Sequence, residues 1–244
     1  MPKDGKFGHE HKDASQELWT QLEALELASG EHVWTSTCGV NMGAVPMVSR
    51  WSDGREVIVV GRGGGHSPPE RPLGVSAIDG KSGKTLWTLP LERYMSTQTF
   101  AMINDRALIF HGPEHLWVDP SGKVERRVNL CTDVKVRRWE GSSYVSQVET
   151  LNYKPGKGRA ITQQSNLLVG DYHYFRAYTE TYLGRVHVRT GKVEYLQLPV
   201  QLIRRAEQED RRIWSLKDPA FIPSEMRNHD GFLVMGDKRS RTNT

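Results

Sequence analysis

An eleven-residue segment occurs twice in this chain. Ala24-Leu25-Glu26-Leu27-Ala28-Ser29-Gly30-Glu31-His32-Val33-Trp34 aligns with Ala77-Ile78-Asp79-Gly80-Lys81-Ser82-Gly83-Lys84-Thr85-Leu86-Trp87. The two share an Ala, an aliphatic residue, an acid, Ser-Gly and a closing Trp. Such a duplication constrains the fold strongly, because the same local structure must form twice and bury the same positions against a neighbour. A third copy, Trp117 to Val124, keeps Asp119 and Ser121-Gly122-Lys123, is one residue shorter, and lacks the aromatic end. A fourth, Val186 to Tyr195, keeps Thr190-Gly191-Lys192, with His187 in place of the acid and Tyr195 in place of Trp.

The repeated chemistry is that of a β-hairpin: an apolar alternating strand, a turn whose glycine can take positive φ, and a return strand. The acid four residues before Gly30 or Gly83 reads as an acceptor for turn amides rather than as a general acid. Short apolar runs bounded by Gly, Asn or Asp precede three of the hairpins: Glu56–Gly61, Ala107–Gly112 and Asn166–Gly170. A fourth, Gly231–Gly236, lies near the end of the chain. They read as buried strands. Two inner strands followed by an outer hairpin, about 40–70 residues in all, have the size of a propeller blade.

With these residues in view, the chain resembles the PQQ-repeat (quinoprotein-like) β-propellers, whose blades carry Ala-x-Asp-x-x-Thr/Ser-Gly-Lys-x-x-Trp. Residues 24–34 and 77–87 match closely; 117–126 and 185–195 match loosely. The expected fold is all-β, a propeller of about 4–5 four-stranded blades, partial or incompletely closed. Residues 1–16 read as a polar tail and 17–244 as blades. The resemblance makes Trp34 and Trp87 wedges between neighbouring blades, with Tyr195 as a substitute. Ala24, Gly30, Ala77, Asp79, Gly83, Asp119, Gly122 and Gly191 are the structural residues of the repeats. The segment 17–36 opens with an outer hairpin and 228–237 ends on an inner strand. These either complete one blade or belong to a longer propeller. Arg204, Arg205, Glu207, Glu209, Asp210, Arg211 and Arg212 allow i,i+4 pairing on a short helix with a thin apolar stripe, so 201–218 reads as a helical or irregular surface insertion.

Thirty-three Lys and Arg against 29 Asp and Glu give a formal charge of +4, too small to imply nucleic acid. The densest basic run, Lys123 to Arg138, reads as a solvated strand face; the alternative is a polyanion-binding surface. No segment has the roughly 18 apolar residues of a membrane span, and the first residues lack the apolar core of a secretory signal. The resemblance nonetheless points to bacterial proteins of a periplasmic or extracellular setting. Cys38 and Cys131 form no metal-ligand spacing, and the sequence does not decide whether they pair.

Gly61-Arg62-Gly63-Gly64-Gly65-His66 follows a strand, but His66 stands where a dinucleotide loop needs its last glycine, and Ser67-Pro68-Pro69 replaces the helix that would hold a pyrophosphate. It reads as a flexible loop open to a ligand, with Arg62, Gly63, Gly64 and His66 as its contact residues. His111 and His115 flank Gly112-Pro113, which disfavours a helix and therefore a shared metal. The two imidazoles remain candidates for ligand or partner contact. No catalytic residue, metal or cofactor is assigned. The enzyme alternative is a quinoprotein oxidoreductase holding PQQ with calcium. The resemblance would then imply adjacent cysteines over the quinone, which this chain lacks. The expected function is a non-catalytic binding or scaffold module whose partner is another protein or the rest of a longer propeller.

Overall fold

A computed structural model of the chain describes residues 22–36, 38, 46–63, 73–92, 95, 101–140, 142–151, 162–177 and 182–197, together with the strand segments 204–205, 214–215, 223–229 and 232–237. The chain divides into two compact units, Met1–Arg127 and Val128–Thr244. Among the described residues every regular element is a β-strand.

The first unit opens with a two-stranded hairpin, β1 (Glu23–Leu25) and β2 (His32–Thr35). A four-stranded antiparallel meander follows: β3 (Met47–Arg50), β4 (Glu56–Arg62), β5 (Gly74–Asp79) and β6 (Thr85–Pro90). A second four-stranded sheet contains β7 (Ala101–Ile103), β8 (Arg106–His111), β9 (Glu114–Val118) and β10 (Val124–Asn129), in sequence order across the sheet. Asn104 and Asp105, both at positive φ, make the two-residue turn between β7 and β8, which suits the strands' right-handed twist. The Asp105 carboxylate in turn accepts from the Ser52 amide at 2.8 Å, tying the β3–β4 turn to the next sheet.

The apolar run Val57–Val60 lacks polar alternation because both faces of its sheet are covered. On one face Val57, Val59, Val75, Ala77 and Trp87 pack with Ala107, Ile109, Leu116 and Val118 of the next sheet. On the other, Val60 and Ile78 pack with Cys38 and Leu22 from around the first hairpin. Successive sheets stacked face to face in chain order are the construction of propeller blades.

The second unit departs from four-stranded blades. β11 (Val134–Trp139) and β12 (Tyr144–Glu149) form a hairpin, and β13 (Thr162–Val169), β14 (Tyr172–Ala177), β15 (Tyr182–His187) and β16 (Val193–Gln197) form a meander. Strand β11 joins the outer edge of that meander by parallel pairing with β16, giving a six-stranded sheet in the order β12-β11-β16-β15-β14-β13. The unit's remaining strands are β17 (Arg204–Arg205), β18 (Trp214–Ser215), β19 (Pro223–His229) and β20 (Phe232–Asp237), in two two-stranded sheets.

The added hairpin makes one sheet six-stranded: β11 pairs with the β16 edge through its backbone, and its buried Val134 and Val136 continue the buried face that Val193 and Tyr195 form on β16. The described residues of 201–218 are not helical: Arg204-Arg205 pairs antiparallel with Trp214-Ser215. The tail 1–16 lies outside the described residues.

Candidate interaction surface

The repeat turns share one backbone pattern. In the first, second and fourth copies the turn glycine donates to the carbonyl four residues earlier: Gly30 to Glu26, Gly83 to Asp79 and Gly191 to His187, at 2.7–2.9 Å. The shorter third copy closes one residue sooner, with Gly122 donating to Asp119 at 3.0 Å. The acids serve these turns. Asp79 Oδ1 accepts from the Ser82 hydroxyl at 2.6 Å and the Ser82 amide at 2.8 Å. Asp119 Oδ1 accepts from the Ser121 hydroxyl at 2.6 Å and from the Ser121 and Lys123 amides at 2.8 and 2.9 Å. The serine bonds are the main cause holding both carboxyls below their ordinary value. In the fourth copy His187 Nδ1 accepts from the Arg189 and Thr190 amides at 3.2 and 3.4 Å, so a ring nitrogen takes the place of the carboxylate oxygen.

Each indole sits on the next turn. Trp34 is buried, its Nε1 donating to Gly80 O at 3.1 Å, and a Cβ added at Gly83 would fall 2.7 Å from its ring. Trp87 covers Gly122 in the same way, with its own Cβ 2.7 Å from that position. Gly83 at φ +70° and Gly122 at φ +86° therefore need glycine twice over, for the backbone and for the contact. Trp87 Nε1 has no acceptor like Gly80 O, since the third turn is a residue shorter.

The third copy places Arg126 where Trp is expected, and its guanidinium lies 4.9 Å over Trp117. Tyr195 closes the fourth copy inside its own unit. Its hydroxyl donates to Leu130 O at 2.6 Å, and its ring meets Phe175 edge-on at 5.5 Å. Among the described residues those contacts bind Tyr195 to the lead-in of β11 rather than make it a wedge on a following turn.

Arg62 is a strand residue, paired with Gly74, and only 4% exposed. Continuation of β4 through Gly61 withdraws it from the loop that the glycine run predicts. Burial lowers the pKa of its guanidinium, opposed by Cys38. Gly63 follows at φ +86°, while Gly64 and His66 lie outside the described residues. His111 pairs with Glu114, and His115 with Phe110, so the two imidazoles occupy opposite faces of the sheet and do not converge. His115 is fully buried between Phe110 and Trp117, at ring distances of 4.5 and 4.3 Å.

The basic run is spent locally. Arg127 bonds Glu114 at 3.0 Å, Arg138 clamps Glu149 through two bonds of 2.5 and 2.7 Å, and Arg137 lies 5.4 Å over Tyr144. A cavity of about 110 Å³ on the six-stranded sheet is lined by Arg137, Tyr174, Leu183, Arg185, Glu194 and Leu196. Organic-cofactor sites run to roughly 300 Å³ or more, so this one suits water-sized occupants. Burial pushes the Glu194 carboxyl up, but the bonds and charge of Arg185, with Lys192, outweigh it and hold it low. Cys38 and Cys131 are buried and not joined in a disulfide; burial raises the Cys38 thiol and pushes Cys131 up to about 11.

His173 carried no signal as a strand residue in Tyr172-His173-Tyr174-Phe175. It is fully buried, bonded to Asn166 Oδ1 at 2.8 Å, and burial depresses its pKa to about 3. The alternation with Phe175 was the one sequence hint of its inward direction.

Solvent-exposed apolar side chains gather on the first hairpin. Leu27 is 98% exposed, Leu25 60% and Val33 54%. Their counterparts on the second repeat are covered: Ile78 is fully buried and Leu86 partly so.

The geometry defines an all-β protein of propeller type, with the repeats of the first unit joined by indole-on-turn contacts. No protein-family model and no curated protein matches the chain. Among solved structures it is similar to the dihydro-heme d1 dehydrogenase NirN in complex with DHE, at 14% identity and a TM-score of 0.45, over 70% of this chain and 31% of that one. It is also similar to BamB from Moraxella catarrhalis, at 16% identity and a TM-score of 0.31, over 67% of this chain and 52% of that one. The chain thus spans about a third and about half of those two proteins.

Proposed function

We propose that this chain is a non-catalytic β-propeller module of the PQQ-repeat type that acts by binding protein partners or as a scaffold, in a periplasmic or extracellular setting. The observation that carries this reading is where the side chains are spent. Asp79 and Asp119 are engaged by their own turns, and His111 and His115 diverge across a sheet. Leu25, Leu27 and Val33 meanwhile stand in solvent on one hairpin. Exposed apolar residues gathered on one element favour a protein contact over a reaction centre. Arg126 and Arg137 each lie over a ring and Arg127 and Arg138 each bond a carboxylate, which does not favour a polyanion.

The test is quinone reconstitution of the full chain. PQQ is titrated with and without calcium, following quinone absorbance, and dye reduction is assayed with alcohols and sugars. The expected result is no saturable absorbance change and no calcium-dependent dye reduction. A saturable signal accompanied by turnover would replace the scaffold reading with the oxidoreductase.

A further inference from the structure

The three repeat turns of the first unit invite comparison as seats for an aromatic ring. Gly83 is buried beneath Trp34, and Gly122 is covered by Trp87, each indole coming from the preceding hairpin. Gly30 has the same backbone as Gly83, with φ +74° and a bond to the carbonyl four residues earlier, yet among the described residues nothing lies within 4 Å of where its Cβ would be. Every residue from Leu25 to Val33 is exposed. On the second repeat the equivalent side of the hairpin is closed by Trp34 over the turn and by Leu22 and Cys38 against Ile78.

We infer that the Gly30 turn, with Leu25, Leu27 and Val33, is a docking seat for an indole presented by a β-hairpin of another polypeptide segment, in the manner that Trp34 and Trp87 dock one and two repeats further on. This rests on the scaffold reading and names the chemistry of its partner. The seat continues an interface already formed twice in this unit, which sets the occupant. A flat ring fits because the turn glycine lacks a side chain, and an apolar strand beside the ring covers Leu25 and Val33. The reward for filling it is removal of Leu25, Leu27 and Val33 from water, a burial of the kind that drives association.

The test places a donor ahead of the full chain. A copy of residues 74–90 is joined to the N-terminus through a flexible Gly/Ser linker, giving a roughly millimolar effective concentration. One donor keeps Trp at the position of Trp87; the control carries Ala there. The expected result is that the Trp donor slows hydrogen exchange at the Glu26 and Gly30 amides about tenfold more than the Ala donor, and lowers binding of a hydrophobic dye. In a host carrying Gly30→Asn the difference between donors disappears. Asparagine tolerates positive φ, so the turn still forms while its side chain occupies the seat.

Equal protection by both donors overturns the inference. So does self-association of the unfused chain that Leu27→Lys abolishes, in the absence of any donor effect, because the occupant is then a second copy. Neither outcome involves the quinone assay, so the seat and the scaffold reading fail separately.

Discussion

The Trp34 indole lies over Gly83 with its Nε1 bonded to Gly80 O at 3.1 Å, so one side chain of the first hairpin closes the turn of the next repeat by both stacking and a hydrogen bond. Truncating this ring, or that of Trp87, opens a cavity at a seam between repeats. Trp34→Ala and Trp87→Ala are each expected to lower stability by about 3–5 kcal/mol in denaturant unfolding, as large buried aromatics do. A loss below about 1 kcal/mol would show that the seam tolerates the hole.

Gly83 and Gly30 share a backbone conformation and differ in what lies above them. Asparagine accepts positive φ, so its cost at each site reports the contact rather than the turn. Gly83→Asn should destabilise by roughly 2 kcal/mol or more, since its Cβ meets the Trp34 ring at 2.7 Å. Gly30→Asn should change stability by less than about 0.5 kcal/mol. Equal penalties in thermal unfolding would refute the difference in covering.

His173 sets an acid limit on the second unit. Its folded pKa of about 3 lies below the unfolded value, near 6.5, so the unfolded chain binds the extra proton first. The stabilisation is complete above about pH 6.5 and is lost progressively as pH falls toward the folded value. Asp79 and Asp119, also depressed, act with the same sign only below the ordinary carboxylate range. Urea midpoints between pH 7 and 4.5 should fall, and His173→Gln should flatten that slope. An unchanged slope in the variant would assign the acid sensitivity elsewhere.

The Tyr195 hydroxyl bonds Leu130 O at 2.6 Å in a buried setting. Tyr195→Phe keeps the ring against Phe175 and removes only the bond, so the expected cost is about 1–2 kcal/mol. Faster hydrogen exchange in β11 should accompany it. No change in either measurement would show that water replaces the phenol.

Cys131, with its pKa pushed up to about 11, holds little thiolate at pH 8, and Cys38 is raised as well. Native protein should resist iodoacetamide under conditions that alkylate both thiols after unfolding. Rapid native labelling would contradict their burial.

Local grammar was legible at Gly30, Gly83, Gly122 and Gly191, where Ser/Thr-Gly spacing marks a turn whichever neighbours surround it. Asp79 and Asp119 were legible as turn acceptors for the same reason, since their partners lie two to four residues away. Arg62 misled. A glycine-rich run reads as loop, but β4 extends through Gly61 because Gly74 lies opposite to pair with Arg62. The parallel pairing of Lys135 with Glu194, Val136 with Tyr195 and Arg137 with Leu196 leaves no local trace, because it joins segments separated by the whole intervening meander.

The order of residues along the chain by itself determined the hairpins, their turns, the indoles that close them and an all-β class, because those features depend on interactions within a few residues and on strand periodicity. Tertiary structure alone decided that β11 to β16 form one six-stranded sheet, that His111 and His115 face apart, that His173 is buried, and that Gly30 stands uncovered among the described residues while Gly83 and Gly122 do not. Those outcomes depend on which distant surface reaches a given face, and a repeat that specifies a glycine turn four times does not encode what comes to lie on it.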